Sequence, residues 1–233
     1  MRIKSSVWRI CFFRRFEINV TQIVVGHFQE NTFVLADGEN QSALIFDPGD
    51  EADRIADFLQ NQQLQPLAIL NTHAHIDHIG AVAELQRRFT IPFYLWQAEE
   101  PVLAGYPQAC AMFGMPAGVA PQVDEWITDE ERLSIGSFEV GIIRTPGHTP
   151  GGLCYTVNEH VFAGDTLFNG SVGRTDLPGG SWSKLENSLV KLMNKINNEQ
   201  IIHCGHGPDT SKTGEMQGNP FLAQLRNRIA PNP

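Results

Sequence analysis

The stretch NTHAHIDHIG, residues 71–80, sets His73, His75, Asp77 and His78 within six positions, just after the apolar run Leu67–Leu70. An ordinary core has no use for so much imidazole, because every buried polar group needs a partner. Imidazole and carboxylate are the usual ligands of zinc, iron and manganese. Any fold open to this chain must therefore end a buried strand at a cluster fit for metal.

Three other places repeat the pattern. Val140–Ile143 leads into Thr145-Pro-Gly-His148, His160–Ala163 leads into Gly164-Asp165, and Gln200–His203 leads into Gly205-His206-Gly207. Each polar group follows the carboxyl end of a short apolar run, the edge where α/β sheets bind ligands. His73, His75, Asp77, His78, His148, Asp165 and His206 are too many for one tetrahedral ion and suit two ions sharing a carboxylate. Glycine beside His148, Asp165 and His206 allows close approach of the backbone. His27, His160 and His203 lack this context and read as structural, and Cys204 reads as a buried thiol.

The remaining sequence bounds the answer. At 233 residues, 42% hydrophobic and 18% charged, the chain suits one compact domain with a sizeable core. A net charge of −9 gives no general attraction to nucleic acid or to an anionic membrane. Cys11, Cys110, Cys154 and Cys204 show no C-x-x-C pair, which suits free thiols in a reducing, cytoplasmic setting. Residues 1–16 carry five basic groups and no acid, and their longest apolar run, Ile10–Phe13, is too short for a signal core. They read as a basic arm ahead of a single domain over 17–233, with a targeting or membrane-touching segment as the alternative. Nothing in the pattern sets an oligomeric state, and no stable membrane association is expected.

Periodicity predicts strands at 17–25, 31–36, 42–46, 67–70, 92–96, 138–144, 152–157, 160–163 and 200–203. Helices are expected at 51–62, after the histidine loop with Ile79, Val82, Leu85 and Phe89 on one face, and with Leu185, Leu189, Leu192 and Ile196 inward. Ser183 and Glu186 fit a capping box for this last helix. Residues 97–122 read as short helices and loops over a cleft, 166–180 as a Gly-rich loop, and 220–228 as a loop and short helix. This order of α/β elements suits two packed sheets with helices outside.

The sequence resembles the metallo-β-lactamase fold superfamily over about residues 17–222, through T-H-x-H-x-D-H at 72–78 followed by His148, Asp165 and His206. The resemblance implies an αββα sandwich of two mixed β-sheets with two divalent metal ions at one edge, zinc first and iron or manganese as alternatives. ALIFDPG at 43–49 resembles the superfamily's first motif, in which Asp47 would orient a ligand. Within the superfamily the chain is similar to the glyoxalase II-like hydrolases, including GDTLFNGSVGR at 164–174. That likeness implies one ion on His73, His75 and His148, another on Asp77, His78 and His206, and Asp165 between them. Arg174 stands where a basic residue binds the glycine carboxylate of glutathione. Asp176 and Pro208 stand where glutathione-binding tyrosines would fall, and little chain follows His206, so the likeness is to the short type without a C-terminal helical domain. Asp165 also differs from the β-lactamases that place cysteine there.

The expected activity is hydrolysis of a small anionic thioester such as S-lactoylglutathione, with Asp77 and Asp165 as catalytic carboxylates. Four alternatives remain at this level, hydrolysis of lactones or other esters being one. A persulfide dioxygenase of the same fold uses one iron on the matches of His73, His148 and Asp165, and shares an RTD stretch like Arg174-Thr175-Asp176. A phosphodiesterase would be expected to carry basic exosites. A metal-stabilised binding protein would carry no turnover.

Overall fold

The computed structural model describes residues 18–230, so the basic segment 1–16 lies outside the described residues. The first sheet contains β1 (Ile18–Val25), β2 (Glu30–Asp37), β3 (Ser42–Phe46), β4 (Gln65–Leu70), β5 (Phe93–Trp96) and β6 (Glu125–Ile127), in that order. The second uses β7 (Arg132–Ile135), β8 (Phe138–Arg144), β9 (Leu153–Val157) and β10 (His160–Gly164). A small ribbon of β11 (Leu167–Phe168) and β12 (Ser171–Val172) follows. Then β13 (Ile201–Cys204) and β14 (Thr210–Ser211) complete the second sheet in the order β14-β13-β10-β9-β8-β7. Both sheets are mixed. β3, β4, β5 and β6 run parallel, as do β10 and β13, while the other neighbours are antiparallel.

Alternation along the strands explains the layers, since successive side chains point to opposite faces. Leu44 and Phe46 of β3, Leu70 of β4, Val140 and Ile142 of β8 and Phe162 of β10 pack between the sheets. The intervening Ile45, Ile69 and Phe93 face outward, where α1 (Ala52–Asn61) and α3 (Val82–Phe89) cover them with Ile55, Leu59, Val82 and Leu85. Across the sandwich, α6 (Trp182–Lys195) lays Leu185, Leu189 and Leu192 over Ile143, Val161 and Ile202. Phe46 and Phe162 stack at 3.9 Å between ring centroids, so the two sheets meet through aromatic faces at mid-layer. The αββα sandwich expected from the sequence is the fold observed.

The shorter helices are α2 (Ile76–Ile79), α4 (Glu100–Ala104), α5 (Tyr106–Met112), α7 (Lys212–Gly218) and α8 (Pro220–Ala223). Among the described residues, no helix is long and apolar enough to cross a membrane.

One local expectation fails. The Ser183–Glu186 capping box does not form: α6 starts at Trp182 with Ser181 at the cap, and no side chain caps it. Ser181 N–H instead donates to Gly147 O at 2.7 Å, so a contact with the His148 loop sets where the helix begins. Strands β6, β7 and β14 and helix α7 are further additions to the sequence reading.

Candidate metal centre

Four strand ends deliver the polar residues. β4 belongs to the first sheet and β8, β10 and β13 to the second. Directly after β4, Asn71 donates from Nδ2 to His78 O at 2.7 Å and accepts at its own carbonyl from Tyr155 Oη at 2.9 Å. Leu153 N–H donates to Thr72 O at 2.8 Å, tying the histidine loop of one sheet to β9 of the other. On β2, Asn31 Nδ2 donates to Cys204 O and Gly207 O, at 2.9 and 2.8 Å, and so fixes the loop that carries His206.

Backbone shape matters at two glycines. At the end of β10 the register against β13 shifts between Phe162 and Gly164, and Gly164 takes the left-handed conformation (φ 48°) that turns Asp165 inward. A Cβ on Gly205 would run into Asp165 Oδ1 and His78. Glycine at 205 therefore preserves the space the cluster occupies.

The cluster itself is compact. Ligand-capable atoms of His73, His75 and His148 lie within 4.8 Å of one another, and so do those of Asp77, His78 and His206. Asp165 stands between these groups, with Oδ2 at 3.4 Å from His148 Nε2 and Oδ1 at 3.3 Å from His78 Nε2 and 3.7 Å from His206 Nε2. The structure thus brings together all seven residues singled out in the sequence.

The unpaired atoms show what the cluster lacks. Thr72 donates its hydroxyl to Asp47 Oδ2 at 2.6 Å, so the contact between Thr72 Oγ1 and His73 Nδ1 at 3.1 Å needs its hydrogen on the ring. That leaves His73 Nε2 bare, buried and without a partner. His148 donates from Nδ1 to Arg174 O at 2.7 Å, which leaves its Nε2 bare as well, 2.9 Å from His75 Nδ1. His78 Nε2 and Asp165 Oδ1 are also buried and unpaired. Bare imidazole nitrogens and carboxylate oxygens aimed at common points fit divalent cations, and the cluster could hold metal ions.

The electrostatics agree. Burial, reinforced by His78, holds the His73 imidazole well below its usual range, and burial with His148 as neighbour brings His75 down to about 4. Both are neutral at pH 7, as ligands must be. Burial would lower His78 too, but the charge of Asp165 outweighs it and holds this ring well above its usual value. Burial likewise opposes ionisation of Asp165, yet the neighbouring His78, His148 and His206 keep it ionised. The carboxylates therefore call for positive charge at this point.

Asp47 lies where the sequence placed it. Its left-handed backbone (φ 47°) turns the carboxylate onto Thr72 N at 2.6 Å, with Oδ2 at 3.2 Å from His78 Nδ1. Two further carboxyl groups escaped the sequence reading. Glu30 is buried 3.8 Å from His78 Nδ1, and burial pushes its pKa well up. Glu99 is fully buried and accepts from Ala74 N at 2.8 Å and Gly151 N at 2.6 Å, joining the His73–His75 segment to the His148 loop. Burial raises its pKa against the pull of those donors. Arg174 lines the adjoining cavity, but its guanidinium forks onto Asp176, at 2.7 and 2.8 Å. His160 and His203 pair with each other at 2.9 Å, and Cys204 is buried.

Comparison with known proteins places this geometry. Residues 25–206 match the family model described as Metallo-beta-lactamase superfamily. The chain is 39% identical to the "Probable metallo-hydrolase YqgX" of Bacillus subtilis, over 85% of this chain and 94% of that one. It is 35% identical to the "Hydroxyacylglutathione hydrolase GloC" of Haemophilus influenzae, over 88% and 98%. Among solved structures it is similar to the BLEG-1 B3 metallo-beta-lactamase, with TM-score 0.83, 40% identity, and 88% and 99% of the chains covered. It is also similar to TTHA1623 in a di-iron-bound form, with TM-score 0.78, 37% identity, and 87% and 100% covered.

Proposed function

The chain belongs to the metallo-beta-lactamase superfamily, and from that premise we propose that it is a dinuclear metal-dependent thioesterase of the glyoxalase II-like kind. The observation that carries this reading is the meeting of two ligand groups on one carboxylate: His73, His75 and His148 on one side, Asp77, His78 and His206 on the other, Asp165 between them. Zinc is the first candidate for both places, with iron or manganese as alternatives; the di-iron form of a similar protein keeps iron open.

Bound there, two divalent ions would supply a water acidified to near neutrality and Lewis-acid polarisation of a carbonyl. The chain's own residues do the rest. Asp47 and Thr72 hold the ring orientations of His78 and His73, and Arg174 O holds that of His148. Asp77 and Asp165 supply negative charge without cancelling the cations, which leaves an attraction for anionic substrate. No side-chain nucleophile is called for: burial pushes the Cys154 and Cys204 thiols up to about 11 and about 12, and neither lines the cavity. A thioester suits such a site, since a thiolate leaves without a strong proton donor.

S-lactoylglutathione is the first substrate to assay, and GloC, named as a hydroxyacylglutathione hydrolase, supports that choice. Arg174 reaches a substrate carboxylate only by releasing Asp176, an exposed pair that water readily replaces. Among the described residues, Cys110, Cys154 and Cys204 are buried and form no disulfide, which supports a reducing cytoplasmic setting. A mononuclear dioxygenase on His73, His148 and Asp165 would leave Asp77, His78 and His206 gathered without a task. The test is turnover of S-lactoylglutathione by metal-loaded protein under anaerobic conditions. Hydrolysis without oxygen supports the thioesterase; oxygen uptake with glutathione persulfide and no thioester cleavage refutes it.

A further inference from the structure

We infer that the thioester taken at this centre carries an extended apolar acyl group; the inference rests on the thioesterase reading and narrows its substrate class. The cavity beside the metal cluster measures about 760 Å³, within the range that encloses a drug-sized ligand and far more than a two-carbon side chain fills. Its walls beyond the cluster are mainly apolar. Val102, Met112 and Phe113 come from α4, α5 and the residue after α5, Phe28 from the turn after β1, Phe168 from β11 and Leu177 from the loop after β12. Phe28 and Phe113 meet edge to face at 5.5 Å between ring centroids. Met112 is 70% exposed and Phe113 45%, so large apolar side chains face water next to the reactive centre.

Polar features are few. Among the described residues, the one charged side chain in the lining apart from the metal cluster is Arg174, and both arms of its fork are taken up by Asp176. A glutathionyl group brings two carboxylates and an ammonium, each of which would have to find a partner or lose water at a cost. The thiol portions of carriers are rich in amides and charges, so an apolar wall is matched by the acyl portion. A hydrocarbon chain gains from this lining in proportion to its length. Full burial of a methylene is worth about four-fold in affinity, and a cavity open on one side should return about two-fold.

The test uses metal-loaded full-length protein and N-acetylcysteamine thioesters from acetyl to decanoyl, with S-lactoylglutathione alongside. The expected result is a kcat/KM that rises about two-fold per methylene through octanoyl and exceeds that for S-lactoylglutathione. The double variant M112D/F113D, placed on exposed positions, should lower the octanoyl-to-acetyl ratio at least five-fold. A profile that is flat or falls with length overturns the inference while leaving the thioesterase reading intact. If no thioester turns over, that reading fails, and calorimetry of metal-free protein with the octyl and methyl thioethers of N-acetylcysteamine decides the cavity separately. Binding of the octyl compound alone supports an apolar-chain site, and binding of neither overturns it.

Discussion

Replacing Glu99 by glutamine tests whether a buried carboxyl group outside the ligand set holds the two halves of the centre together. Both oxygens of Glu99 are used: Oε2 accepts from Ala74 N at 2.8 Å and Oε1 from Gly151 N at 2.6 Å. An amide of the same shape can serve one of these donors but must turn its NH₂ toward the other. One charge-assisted bond is lost, at about 1.5–3 kcal/mol, and a buried N–H is left without an acceptor, at about 1–3 kcal/mol. Part of this is recovered, because burial raises the Glu99 pKa and the carboxylate therefore costs something to bury. A net loss of about 2 kcal/mol follows. With a urea slope of about 2.5 kcal/mol per molar, the unfolding midpoint of metal-free Glu99→Gln should fall by about 0.8 M. Because Ala74 lies between His73 and His75, and Gly151 follows His148 closely, metal affinity should also fall about 10- to 100-fold, as when other supports of ligands are lost. Urea titration followed by circular dichroism reads the first effect, and competition with a chromophoric chelator reads the second. A midpoint within 0.2 M of the parent together with unchanged affinity would refute the positioning role.

Other expectations can be checked in parallel. Asp165→Asn should lower thioester turnover by more than about 100-fold, beyond the loss from a supporting residue, and steady-state kinetics on equal metal loads reads it. Stripping metal with a chelator should lower Tm by about 5–10 °C if free metal stood near 100 Kd, since such binding contributes about 2.7 kcal/mol to the folded state; differential scanning calorimetry measures the shift. Burial raises the Cys154 thiol from 9.0 to about 11, so the folded chain keeps a proton that the unfolded chain sheds. The stability tied to this group is fully present below pH 9 and is lost as pH rises through 11, by about 3 kcal/mol. Denaturation between pH 8 and 11 should accordingly show a shallower alkaline decline for Cys154→Ala than for the parent.

The legible parts of the sequence were those with local signatures. His73, His75, Asp77 and His78 lie so close together that any shared chemistry shows without a fold, and the runs before His148, Asp165 and His206 mark strand ends through their apolar character. Strand β3 reads as an unbroken apolar run because it is buried on both faces, and β8 sets Phe138, Val140 and Ile142 at alternate positions facing the other sheet. The missed elements carry no comparable signal. β6 and β7 have three and four residues and expose Glu125 and Arg132, so neither shows an apolar period. Glu99 sits in WQAEEP beside the exposed Glu100 and looks like half of a solvated pair; its partners, Ala74 and Gly151, are distant in sequence. Glu30 begins β2 and meets His78 only through the packing of the strands and loops. The Ser183–Glu186 pattern failed for the same reason: the Ser181–Gly147 contact outweighed a local cap. Arg174 was visible as a cation, but its pairing with Asp176 depends on side-chain geometry.

Two cations on seven side chains is the physical statement beneath all of this, and elemental analysis of metal-saturated, desalted protein weighs it against a single variant. The parent should retain two divalent ions per chain, and His206→Ala, which empties one corner of the Asp77–His78–His206 group, should retain one. One ion in both proteins, or two in both, would contradict the paired centre.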